Sequence, residues 1–189
     1  MLRKMTALLA VALLTTAATP KPAPPKAPPA AAAKPAAPAA KPAVSPVANF
    51  DARNPASVIA VLNSGGGKAT LAQKDADNVL VTFASLAANF TALFASCDAQ
   101  GRNCKAVEFD SLFDQPGPSF AQLNAFNQTS AMCRAYEDKT GRAHVVYSTL
   151  LFADDPYEHF RTQALAWTGC IGEFRNFLKD PNGYLASAP

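Results

Sequence analysis

The sequence predicts an α+β fold: a single antiparallel sheet of about six strands with helices packed on one face. Two observations predict it. Several segments alternate apolar and polar side chains, as strands with one wet face do. The last long apolar pattern instead recurs at steps of three and four, the period of a helix.

The elements follow in order. Asn54 is an N-cap residue and Pro55 suits the first helical position. Val58, Ile59 and Leu62 form an apolar stripe, and Gly65, Gly66 and Gly67 end that helix. The glycine run precedes Lys68 but is no phosphate loop. Ala69 follows the lysine, and the run closes a helix where a phosphate loop opens one. Residues 68–74 and 78–85 read as a hairpin about Asp75, Ala76 and Asp77. A third strand, 88–97, places Phe90, Ala92, Phe94 and Ser96 on one face. A fourth, 104–113, alternates Val107, Phe109, Ser111 and Phe113 with Glu108, Asp110 and Leu112.

Pro116, Gly117 and Pro118 break the sheet. Ser119 with Gln122 then makes a capping box, and Phe120, Leu123 and Phe126 supply the apolar side of the helix it starts. Strands are expected at 131–138 and 142–151, joined by Lys139, Thr140 and Gly141. In the final helix Asp155 caps, Pro156 opens, and Phe160, Ala164, Trp167, Ile171, Phe174 and Leu178 share one side. Asp180, Pro181, Asn182 and Gly183 are expected to terminate it.

Ahead of this domain lie two segments of different composition. Arg3 and Lys4 precede a small and apolar run over residues 5–18, which reads as a secretory signal over residues 1–19. A spanning helix needs about 20 apolar residues, so this run is short for an anchor; an uncleaved signal that holds the chain in the inner membrane is the alternative. Residues 20–47 are almost entirely Pro, Ala and Lys, and 10 of the 16 prolines fall there. Fixed φ and missing N–H groups make this an extended tether at about 3.1 Å per residue. Residues 48–189 are left as the folded domain. Its expected address is periplasmic or secreted.

The formal charge of +3 is carried by the leader. Six of the 17 basic residues precede residue 48, so the domain holds 11 bases against 14 acids, a balance of −3. That excludes a basic footprint for nucleic acid. The four cysteines, Cys97, Cys104, Cys133 and Cys170, allow three connectivities. In an exported chain an even count points to disulfides. Cys97 and Cys104 sit at facing ends of adjacent strands and are expected to pair. Cys133 and Cys170 remain, either as a second disulfide or as two buried thiols. The cysteines lack metal-site spacing, and His144 and His159 fall in different elements, so no metal and no cofactor is expected. Glu108 and Asp110 share a strand face, as a carboxylate pair or as a solvated face paired with Arg134. Asn89 and Asn127 each begin a glycosylation sequon by composition alone.

Several short motifs, taken in order, resemble the YbjN-domain family of bacterial sensory transduction regulators. Phe94-Ala95-Ser96-Cys97 leads into a loop closed by Cys104, and Val107-Glu108-Phe109 follows. Next come Leu123-Asn124-Ala125-Phe126-Asn127, then Arg134-Ala135-Tyr136, then Trp167 and Phe174 in the last helix. Phe126 stands where that family usually has Trp, and Glu108 where Gln is common. The resemblance implies a fold similar to type III secretion chaperones and carries no catalytic residues. The expected function is a non-enzymatic protein-interaction domain, chaperone-like or regulatory, taking a protein or peptide partner or a second copy as a homodimer. Phe90, Phe94 and Arg134 are the candidate partner-binding residues. The alternative is a sensor with a pocket for a small apolar or cell-wall-derived ligand, lined by Phe, Val and Trp167.

Overall fold

Six strands pair in the order β1-β2-β3-β4-β6-β5, every neighbour antiparallel. They are β1 (Lys68–Lys74), β2 (Val79–Ala84), β3 (Asn89–Ala95), β4 (Ala106–Pro116), β5 (Arg134–Glu137) and β6 (Arg142–Leu150). Four helices accompany them: α1 (Pro55–Ser64), α2 (Phe120–Thr129), α3 (Tyr157–Lys179) and α4 (Pro181–Ser187). The computed structural model describes residues 47–187. The signal and all of the tether but Val47 lie outside the described residues. The α+β class and the single antiparallel sheet are as the sequence predicts.

Alternation sets the core. Val79, Val81, Ala92, Phe94, Val107, Phe109, Ala135, Ala143, Val145 and Tyr147 are buried, while their strand neighbours are more exposed. Onto that face α3 lays Phe160, Trp167, Ile171, Phe174 and Phe177, each buried. Trp167 stacks on Phe109 at 5.9 Å, and Phe174 meets Phe113 at 5.3 Å and Phe126 at 5.2 Å. Phe50 anchors the start of the domain by packing on Tyr157 and Phe160.

Local signals explain the helix ends. Asn54 accepts from the Ala56 N–H, and Pro55 stands at the first helical position. Gly66, just past the end of α1, takes φ +86°, which suits a residue with no Cβ. In α2 the capping box forms as read, with Ser119 and Gln122 bonded reciprocally. Four expectations need correction. Phe120 is 75% exposed and contributes nothing to the core, because the buried side of α2 is Leu123 and Phe126. The strand expected from residue 131 starts at Arg134, since residues 130–133 turn and the Cys133 N–H donates to Ser130 Oγ. Asp155 does not cap α3; its carboxylate accepts from the Phe152 N–H and pairs with His159 at 2.8 Å. Pro156 takes the cap position without a side-chain bond. Finally, Pro181 starts α4 directly after α3, and Asp180 accepts from the Gly183 N–H.

Both disulfides form: Cys97–Cys104 and Cys133–Cys170. Each cysteine of the first follows a residue at positive φ, Ser96 at 53° and Asn103 at 51°. Left-handed backbone of this kind costs roughly 1–2 kcal/mol at a residue such as Ser96 and less at an asparagine such as Asn103. Asp98 organises the loop, accepting from the Gln100 and Arg102 N–H groups and from Asn103 Nδ2.

Candidate functional site: the uncovered sheet face

The helices bury one face of the sheet and leave the other open. Thr82, Thr91, Leu93, Glu108, Asp110, Leu112, His144 and Ser148 stand on the open face, none of them buried. The register brings together residues that are distant in sequence. Thr91 lies beside Asp110, Asp110 beside Val146, and Leu112 beside His144, which neighbours Tyr136.

A polar cluster forms where β4, β6 and β5 meet. His144 Nδ1 lies 2.7 Å from Asp110 Oδ1, and Nε2 lies 3.4 Å from Asp138 Oδ2. The Tyr136 ring stacks on the imidazole at 4.6 Å and its hydroxyl donates to Asp110 Oδ2 at 2.7 Å. Burial, with that bond to Asp110, pushes the Tyr136 phenol well above its ordinary range. The Thr140 hydroxyl, with N–H groups of Thr140 and Arg142, holds the Asp138 carboxyl well below the carboxylate range. Both imidazole nitrogens thus face carboxylates, and neither is presented to a nucleophile. Ser111, the hydroxyl nearest in β4 on the covered side, is 4% exposed and donates to the Asn89 carbonyl. Glu108 accepts from Ser148. Glu108 and Asp110 are therefore engaged by neighbours on the sheet, and neither bonds to Arg134 as expected. Arg134 is exposed, but its guanidinium donates to the Ser130 and Cys133 carbonyls and clamps the turn into β5.

Phe90 and Phe94 do not form an exposed patch. Phe94 is fully buried, and Phe90 packs on Trp167 at 5.8 Å and Phe109 at 5.9 Å. The face of β3 that carries them is the one α3 covers; the open face shows Thr91 and Leu93 instead. Trp167 is 1% exposed, so it lines no pocket for an apolar ligand. Its Nε1 is buried without a hydrogen-bond partner among the described residues.

Two depressions mark the open side. One, of about 480 Å³, lies at the end of the sheet, at the start of β4 and the end of β6, among Ala106, Ser148, Leu150 and Phe152, and extends past Thr149 to His159 of α3. Leu150 is 61% exposed and Phe152 56%. The other, of about 530 Å³, lies at the opposite end of the same strands, beside Asp110 and His144. Among the described residues no group of three or more His, Cys, Asp or Glu could hold a metal ion, and no helix is long and apolar enough to cross a membrane.

The two sheet edges are closed in the same way. Asn63, in the last turn of α1, accepts from the Ala69 N–H at 2.6 Å and donates to the Ala69 carbonyl at 3.2 Å. Asn127, in the last turn of α2, does the same to Ala135 at 2.7 and 3.0 Å. Each side-chain amide takes the place that a further strand would take. Free edges invite strand addition, and these two positions refuse it. Two lost bonds at about 0.5–1.5 kcal/mol each predict that Asn127→Ala lowers stability by about 1–3 kcal/mol. The freed edge should also produce concentration-dependent self-association. Urea titration with light scattering checks both effects, and a variant as stable and monodisperse as wild type contradicts them. The Asn127 sequon is not an accessible acceptor, because its amide is held by β5.

Compared with protein-family models, with curated proteins and with solved structures, the chain shows no match.

Proposed function

We propose that this is a non-enzymatic, exported interaction domain that docks a protein partner on the open sheet face. One observation carries the reading: an uncovered face ending in exposed Leu150 and Phe152 around a shallow apolar depression. Exposed apolar side chains gathered on one surface mark interaction sites. Apart from His159, no ionisable side chain lines that depression, so the partner presents an uncharged apolar segment. Strand addition is opposed at Ala69 and Ala135, which leaves the face as the recognition surface.

The resemblance to YbjN-domain proteins and to secretion-chaperone folds supports the same reading. Two disulfides fit an oxidising compartment, and the signal read from residues 1–19 of the sequence supports an address in the periplasm or outside the cell. The non-enzymatic reading rests on the closed hydrogen bonding of His144, Asp110 and Glu108 and on cysteines consumed as disulfides.

A photo-crosslinking amino acid at position 150 tests the docking site in intact cell envelopes. The expected result is one discrete adduct from position 150 and none from position 168, on the exposed side of α3. Equal yields from the two positions, or no adduct at 150, contradict it.

A further inference from the structure

At the other end of the open face, the structure points to a second site, and we propose that it binds a neutral sugar ring. The 530 Å³ groove falls within the range of small-molecule sites, about 300–1,000 Å³. It lies where the β3–β4 ladder ends: Thr91 is opposite Asp110, and beyond that pair the Ser111 hydroxyl of β4 still donates to the Asn89 carbonyl at 2.9 Å. Leu112 lines it together with the edges of the Phe83 and Phe90 rings, which pack on each other at 4.6 Å.

The lining selects by charge. No Lys or Arg contributes to it, and both ring nitrogens of His144 already face the Asp110 and Asp138 carboxylates, so a phosphate or carboxylate ligand finds no unpaired counter-charge. The only carboxylate, Asp110, has Oδ1 against His144 and Oδ2 bonded to Tyr136. It is an engaged acceptor and a poor seat for a bare cation. What is left is neutral and two-sided. Thr91 offers a hydroxyl that both donates and accepts, Thr82 adds one that already shares a hydrogen bond with Thr70 Oγ1 at 2.9 Å, and Asn89, whose Oδ1 takes the Ser85 N–H, keeps Nδ2 to donate. Leu112 and the two phenyl rings supply an apolar wall. A pyranose matches both halves. Its hydroxyls need partners when they leave water, and its C–H face packs against apolar surface. An extended peptide fits less well, because its backbone seeks a strand edge and the groove lies within the sheet.

This inference does not depend on the docking site around Leu150, which lies at the far end of β6. The test is titration of the full chain with the neutral trisaccharides chitotriose, cellotriose and maltotriose, followed by amide NMR. Galacturonate and a neutral apolar tripeptide are the comparison ligands. The expected result is saturable shifts at Thr82, Asn89 and Thr91 with at least one neutral trisaccharide, weakened about tenfold in Asn89→Ala and in Thr91→Val. Unchanged shifts elsewhere in the spectrum show that both variants are folded. No saturable shift with any neutral trisaccharide overturns the proposal. So does binding of the tripeptide or galacturonate at equal or higher affinity, or binding that both substitutions leave intact.

Discussion

Replacing Cys133 and Cys170 together by alanine is expected to lower the unfolding free energy by about 4 kcal/mol. The bridge spans a sequence separation of 37 residues and ties the turn before β5 to the middle of α3. In the chain-entropy description a longer closed loop removes more freedom from the unfolded chain. The same description assigns about 2 kcal/mol to Cys97–Cys104, whose separation is 7. The native state has its own stake in the long bridge. Both sulfur positions are buried, at 3% and 1% exposure. Glu173 lies beside them, accepting from Ser130 and from the Tyr184 hydroxyl at 2.7 Å. Burial and that bond to Glu173 push the Tyr184 phenol up to about 12. Urea unfolding of the double variant, with Cys97–Cys104 intact, measures the loss. A change under about 1 kcal/mol contradicts the account, as does a larger loss from removing the short bridge than from removing the long one.

Phe174→Ala should cost about 3–5 kcal/mol, in the range for a fully buried phenyl ring. Phe174 has no exposed surface, and its ring touches those of Phe113, Phe126 and Phe177. It is where the sheet, α2 and α3 meet. The ring leaves a cavity that none of the three elements can close without shifting the others. Against a total stability of about 5–15 kcal/mol, the variant sits near the limit of folding. Phe120→Ala is the companion measurement. That ring is 75% exposed, so its removal should change stability by no more than about 0.5 kcal/mol. Similar losses from the two substitutions would mean that α2 packs by a different side.

The two phenylalanines of α2 also show what was legible in the sequence. A period of three or four says that a helix has an apolar side. With Phe120, Leu123 and Phe126 all spaced to share it, only packing shows that Phe120 stays outside. The same limit applies to β3. Alternation correctly puts Phe90, Ala92 and Phe94 on one face, but one strand cannot say which face the helices cover. α3 supplies that answer through Trp167. Caps and turns were legible because they are local: Asn54, Ser119 with Gln122, and the glycines after α1 act within a few residues of themselves. Pro181 misled because a proline after a helix reads as a stop, while it equally suits the first position of a new one.

The candidate sites were mostly not legible. The Asp110, His144 and Tyr136 cluster depends on the register of three strands, with β6 set between β4 and β5 against chain order. Asn63 and Asn127 act on strands that begin only after their helices end. One signal was present: Asn127 closes the Leu-Asn-Ala-Phe-Asn motif, and its amide serves β5 directly.

The docking proposed for the open face runs through Leu150 and Phe152. Its most direct measurement compares the material retained from envelope extracts by the wild-type chain, by Leu150→Asp and by Thr168→Asp, with the melting temperature of each determined in parallel. The account predicts that all three melt alike, that Thr168→Asp retains the wild-type partner, and that Leu150→Asp loses it. Undiminished retention of that partner by a folded Leu150→Asp chain would contradict it.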